Sequence, residues 1–138
     1  VDDQADLAVG FVPLAAVQAR FPGARRTALR FRDAEVCTCN LFALLRPPAA
    51  GVIQLWRRVE RDRKQPWRLV RMLGPWVLLR FLLGRVTLAE ALDRLGRIAG
   101  ARIRPVLLDT PEAAVDVDSV ADWTLVRSVI GERNEDRA

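Results

Sequence analysis

At 138 residues, 51% hydrophobic and 28% charged, the chain has room for one domain (1–138) with a real core and is too apolar to stay disordered. Histidine is absent, which removes Ser-His and Cys-His nucleophile pairs and His-based zinc sites from these residues, and two cysteines cannot build a disulfide framework. The net charge of +5 is carried by one segment, Arg57 to Arg71, where seven cations face two acids; the remainder is balanced.

Arginine supplies all the cations except Lys64, and Ala, Leu and Val abound, so the basic balance reads as compositional bias rather than as selection for phosphate. No apolar run is long enough for a spanning helix. The opening VDDQADLAVG lacks a basic stretch followed by an apolar one, so no secretory signal is expected and a cytoplasmic location is. The eight glycines include neither a G-x-G pair nor a G-x-x-x-x-G-K-[ST] loop, so no phosphate cradle of those types is present.

Pro13 to Arg20 predicts a short helix with proline in its first turn, ended by Phe21-Pro22-Gly23. Thr27 to Arg32 alternates like a strand, Asp33-Ala34-Glu35 makes a hairpin turn, and Val36 to Leu45 is a second strand. Pro47-Pro48 open a helix running to about Arg63, with Val52, Leu55, Trp56 and Val59 on one face at helical spacing. Pro66 to Leu83 reads as two helices broken at Gly74-Pro75, a buried hairpin in preference to an in-plane membrane helix or a greasy acceptor site marked by Trp67, Trp76 and Phe81. Thr87-Leu88-Ala89-Glu90 is a capping box that starts a helix ending at Gly100. Arg102 to Leu108 follows as a strand with Pro105 near an edge, then Ala113 to Val117 as a short strand. Ser119 to Asp122 caps a last helix with Trp123, Val126, Val129 and Ile130 inward. The order is α/β with few strands for many helices, and so small a sheet leaves an edge or a face uncovered.

Three motifs, in order, carry a family resemblance. Phe21-Pro22-Gly23-Ala24-Arg25-Arg26-Thr27-Ala28-Leu29 is similar to a "(F/Y)PGxxRTYLR" segment, Asn40-Leu41-Phe42-Ala43-Leu44 to a "GGNLF" strand, and Ala114 to Trp123 to an "(I/V)DVDTPEDL" ending. Together they resemble the C-terminal half of MobA-like NTP transferases, with Thr38-Cys39 standing where the family has Gly-Gly. The resemblance implies part of a three-layer nucleotidyltransferase fold, glycosyltransferase-A-like, without the N-terminal half that carries the Gly-rich loop and the first metal-binding carboxylate. It implies an NTP and a small-molecule acceptor as substrates of the intact enzyme, Mg²⁺ as cofactor, and no catalysis by these residues alone. Either a missing half or self-association would cover the exposed surface.

Within that resemblance, Asp118 and secondarily Asp116 are the candidate Mg²⁺ ligands, as hard oxygen donors before a helix. Arg26, Thr27 and Asn40 are candidates for contacting acceptor or phosphate. No catalytic residue is singled out. Each has a plainer reading: Asp118 as a helix cap, Arg26 as a solvated arginine, Asn40 as a hydrogen-bonded edge residue. Cys37 and Cys39, sharing one strand face, are expected to be small buried hydrophobes. The rival function is a binding module in which the helical surface Arg57–Arg71, flanked by Trp56 and Trp67, meets nucleic acid or an anionic membrane. Between these the residues favour a solvated basic face over nucleic-acid binding, and leave a membrane surface open.

Overall fold

A computed structural model describes residues 4–22, 27–62, 71–72, 74–116, 123–124 and 126–127. Its centre is β1 (Leu7–Pro13), followed by α1 (Leu14–Arg20), β2 (Leu29–Arg30), β3 (Glu35–Leu44), α2 (Ala49–Asp62), α3 (Pro75–Leu82), α4 (Leu88–Ala99) and β4 (Ile103–Leu107). The sheet order is β2-β3-β1-β4, with β3 antiparallel to β1 and β4 parallel to it.

Side chains alternate across β1. Leu7 and Phe11 face one side, where they pack with Val36, Ile103, Ala49 of α2 and Leu88 and Leu92 of α4. Val12 faces the other, with Val17 of α1, Phe21, Cys37, Cys39 and Ala114. Both faces of β1 are thus covered, which makes three layers and explains a strand, LAVGFVP, that is almost continuously apolar. Sequence periodicity did not disclose β1, because a strand buried on both sides does not alternate.

Several expectations hold. The hairpin closes with the Phe31 N–H donating to the Ala34 carbonyl. At the start of α4, the Thr87 hydroxyl accepts from the Glu90 N–H while the Glu90 carboxylate accepts from the Thr87 N–H, and Gly100 ends the helix in the left-handed region. β4 lies at a sheet edge and contains Pro105, and both cysteines are buried.

Others are corrected. Of the strand expected over Ala113–Val117, the described part is not one: residues 111–114 form a single 3₁₀ turn that Pro111 presets, and Val117 lies outside the described residues. Trp56 shares a helix face with buried Leu55 yet is 65% exposed, because no described layer covers that part of α2. Helix α3 buries none of its residues, and Trp76 is 69% exposed, contrary to a buried hairpin. It touches the body through Phe81, edge-on to Phe31 at 5.5 Å. Trp123 is exposed as well. Trp67, Val129, Ile130 and the Ser119–Asp122 cap lie outside the described residues.

Among the described residues, no helix is long and apolar enough to cross a membrane.

Candidate functional site

The site begins with an irregularity in β3. Val9 pairs with Phe42, but Phe11 pairs with Thr38, so three residues of β3 stand opposite Gly10 alone. The surplus is a β-bulge, a device that re-aims side chains and disrupts the ladder locally. Asn40, at its middle, has φ 49°, the only positive value at a non-glycine among the described residues. Asparagine is among the few residues that tolerate this region.

Gly10 makes room for the bulge. A Cβ there would stand 2.8 Å from the Cys39 Sγ and 3.3 Å from Leu41 Cβ and Leu108 Cδ1. Cys39 and Leu41, on either side of Asn40, therefore lie close over a position with no side chain.

The turned Asn40 donates from Nδ2 to Asp116 Oδ2 at 2.9 Å. Asp116 reaches that position through the 3₁₀ turn Pro111–Ala114. Ala114 is buried against Cys37 and Cys39, and Glu112 is bonded to Arg20 of α1 at 3.2 Å. Two candidate residues from separate motifs, 76 positions apart, are thus in direct contact.

Thr27 is exposed, two residues before β2 on the hairpin that pairs with the start of β3. Arg26 and Asp118 lie outside the described residues. Among the described residues, no three metal-capable side chains gather. The bulge, and Gly10 as the residue that permits it, escaped sequence reasoning. The available signal was an asparagine inside an apolar strand, opposite a strand that contains glycine.

Of the basic segment, Arg57, Arg58 and Arg61 on α2 are exposed, and residues 63–70 lie outside the described residues.

No family model matches the chain, and neither does any curated protein. Among solved structures, it is similar to a hypothetical transferase from Thermus thermophilus, with 40% identity and a TM-score of 0.77, over 88% of this chain and 52% of that one. The chain thus spans about half the length of that neighbour.

Proposed function

We propose that this chain is the acceptor-side half of a nucleotidyl-transferring enzyme. The observation that carries the reading is the Asn40–Asp116 hydrogen bond, which joins the "NLF" strand to the "DVD" ending at one place. Similarity to a protein described as a hypothetical transferase supports the general class. The three-layer α/β arrangement is compatible with a nucleotidyltransferase fold of the glycosyltransferase-A kind.

In the transfer, an acceptor oxygen bonds to the α-phosphorus of a nucleoside triphosphate, the bond to the bridging oxygen breaks, and pyrophosphate leaves. Mg²⁺, when bound, supplies charge neutralisation on the phosphates. The donor chemistry fits it: Asp116 offers a hard oxygen, and Asp118 follows two residues on. Asn40 orients the Asp116 carboxylate, as outer partners of metal-binding carboxylates do. Thr27 and Arg26 are the residues proposed to meet the acceptor or its phosphate. Positioning and electrostatics, rather than a covalent intermediate, are what such a site contributes.

The test has two stages. Calorimetric titration of the 138-residue chain with GTP or CTP plus Mg²⁺ should give no micromolar binding, since the phosphate loop is absent. Fused or co-expressed with the part of the Thermus protein that this chain does not match, it should release pyrophosphate from a nucleoside triphosphate. Asp118→Ala should abolish that release and Asp122→Ala should spare it. Wild-type turnover in Asp118→Ala at limiting Mg²⁺ would overturn the metal assignment and make Asp116 the next residue to test.

One observation favours a second reading. Trp56 is exposed beside Arg57, Arg58 and Arg61, as in surfaces that stack bases and track a phosphate backbone. Binding to random nucleic acid that weakens steeply with salt would support it.

A further inference from the structure

Strand β3 has ten residues, but β2 pairs only with Glu35 and Val36. Beyond Val36, among the described residues, no strand lies on that side. The geometry of the ladder shows what this edge offers. The Leu45 N–H donates to the Asp6 carbonyl at 2.9 Å, toward β1. Polar groups of alternate residues point to opposite sides of a strand, so the N–H and C=O of Phe42 and Leu44 point outward.

Among the described residues, nothing protects this edge in the usual ways. From Val36 to Leu45 there is no charge and no proline, and the bulge at Asn40 leaves residues 42–44 regular. Phe42 is 52% and Leu44 57% exposed, and with Leu7, Val52, Ile53 and Trp56 they line one apolar hollow. The opposite edge of the sheet contrasts with it. There the Leu108 N–H donates to the Phe11 carbonyl, so by the same alternation position 105 faces away from β1. That position is Pro105, which has no N–H to offer.

The similar Thermus structure is about twice the length of its matched part. That chain therefore contains about as much polypeptide again. We propose that the outer edge of β3, at Phe42 and Leu44, pairs with a β-strand from polypeptide equivalent to that unmatched part. An apolar side chain of the added strand fills the hollow at Phe42, Leu44 and Trp56. This rests on the half-enzyme reading and goes beyond it: it sets the added half directly beside the Asn40 bulge, so the transfer cleft opens at this strand edge rather than at β4.

The experiment mixes or co-expresses the 138-residue chain with the unmatched segment of the Thermus protein. Overlapping peptides covering that segment are tested in parallel, so the result does not depend on the segment folding alone. Amide hydrogen exchange is read residue by residue. The expected result is at least tenfold slower exchange at Phe42 and Leu44 on binding, with Arg104 and Leu107 unchanged. Leu44→Pro removes an outward donor and should abolish binding, as should Trp56→Asp, while both variants keep the far-ultraviolet dichroism of the parent chain. Should Leu44→Pro unfold, Trp56→Asp carries the comparison. The proposal is overturned if neither segment nor peptides slow those two amides. It is overturned equally if the chain alone sediments as a dimer with them already protected, which would make a second copy the occupant. Binding with protection but no pyrophosphate release keeps this proposal and sinks the functional reading. Release without protection does the reverse.

Discussion

The amide of Asn40 donates to the carboxylate of Asp116 at 2.9 Å, across 76 residues of sequence, and it does so from a left-handed backbone. The two features can be separated. Asn40→Gly keeps the backbone at ease and deletes the amide, whereas Asn40→Ala deletes the amide and leaves a side chain that disfavours φ 49°. Alanine should therefore be less stable than glycine by about 1 kcal/mol in urea unfolding. Equal midpoints for the two variants would mean that the left-handed backbone at position 40 carries no cost.

Gly10 sets the height of the bulge. With Cys39 Sγ 2.8 Å from where a Cβ would stand, Gly10→Ala should lower stability by about 1–3 kcal/mol, the usual range for overpacking. Amide shifts in a heteronuclear spectrum should concentrate at Cys39, Asn40 and Leu41 rather than spread through the sheet. A loss under about 0.5 kcal/mol would show that Cys39 moves aside freely.

Asp6 is 5% exposed and holds three strands by their ends. Its carboxylate accepts the Arg102 N–H at 2.7 Å, ahead of β4, and its carbonyl accepts from the Leu45 and Arg46 N–H groups, just past β3. Asp6→Ala should cost about 2–3 kcal/mol, because a part-buried hydrogen bond to a charged group is lost. Asp6→Asn keeps an acceptor oxygen and should lose less. Identical losses in the denaturation midpoint would show that the charge, rather than the accepted hydrogen bond, is what matters.

The capping box gives a pH signature. The Glu90 carboxyl is held below its ordinary value of 4.5, chiefly by the Thr87 N–H it accepts, with Arg80 and Arg32 adding attraction. A carboxyl with a lower pKa folded than unfolded contributes stability above its unfolded value, and that contribution fades as pH falls through the folded one. Glu90→Gln should therefore flatten the acid side of the stability curve, its cost being largest near neutrality, where Glu90 is charged, and fading as pH falls below about 4.5. Thr87→Ala should remove about 1 kcal/mol at neutral pH. An unchanged acid limb in Glu90→Gln would assign the slope to other carboxylates.

Local chemistry made part of this fold legible. A turn at Asp33-Ala34-Glu35, a capping box at Thr87 and an edge proline at 105 are each written in a few adjacent residues, and each is found where they point. What escaped depends on partners far along the chain. β1 looked like no strand because both its faces are covered. Trp76 looked like core because an apolar stretch shows which side of a helix is apolar and not whether anything covers it. Of the candidate site, Asn40 and Asp116 could be named from motifs, but their contact needed the bulge, which depends on how β1 and β3 align.

The arrangement of β1 also orders events in time. Its antiparallel partner arrives early, Leu7 meeting Leu44, but its parallel partner begins with Ile103 meeting the same Leu7. The clasp between Asp6 and Arg102 closes a loop of 96 residues. At about 5–20 residues per second, a ribosome takes roughly 5–20 s to supply the second strand after the first. Throughout that interval one side of an apolar strand waits without its neighbour. Loops of this size close slowly because their entropy is lost before any contact repays it. β4 therefore docks late, and until it does one side of an apolar strand stays open to misassociation.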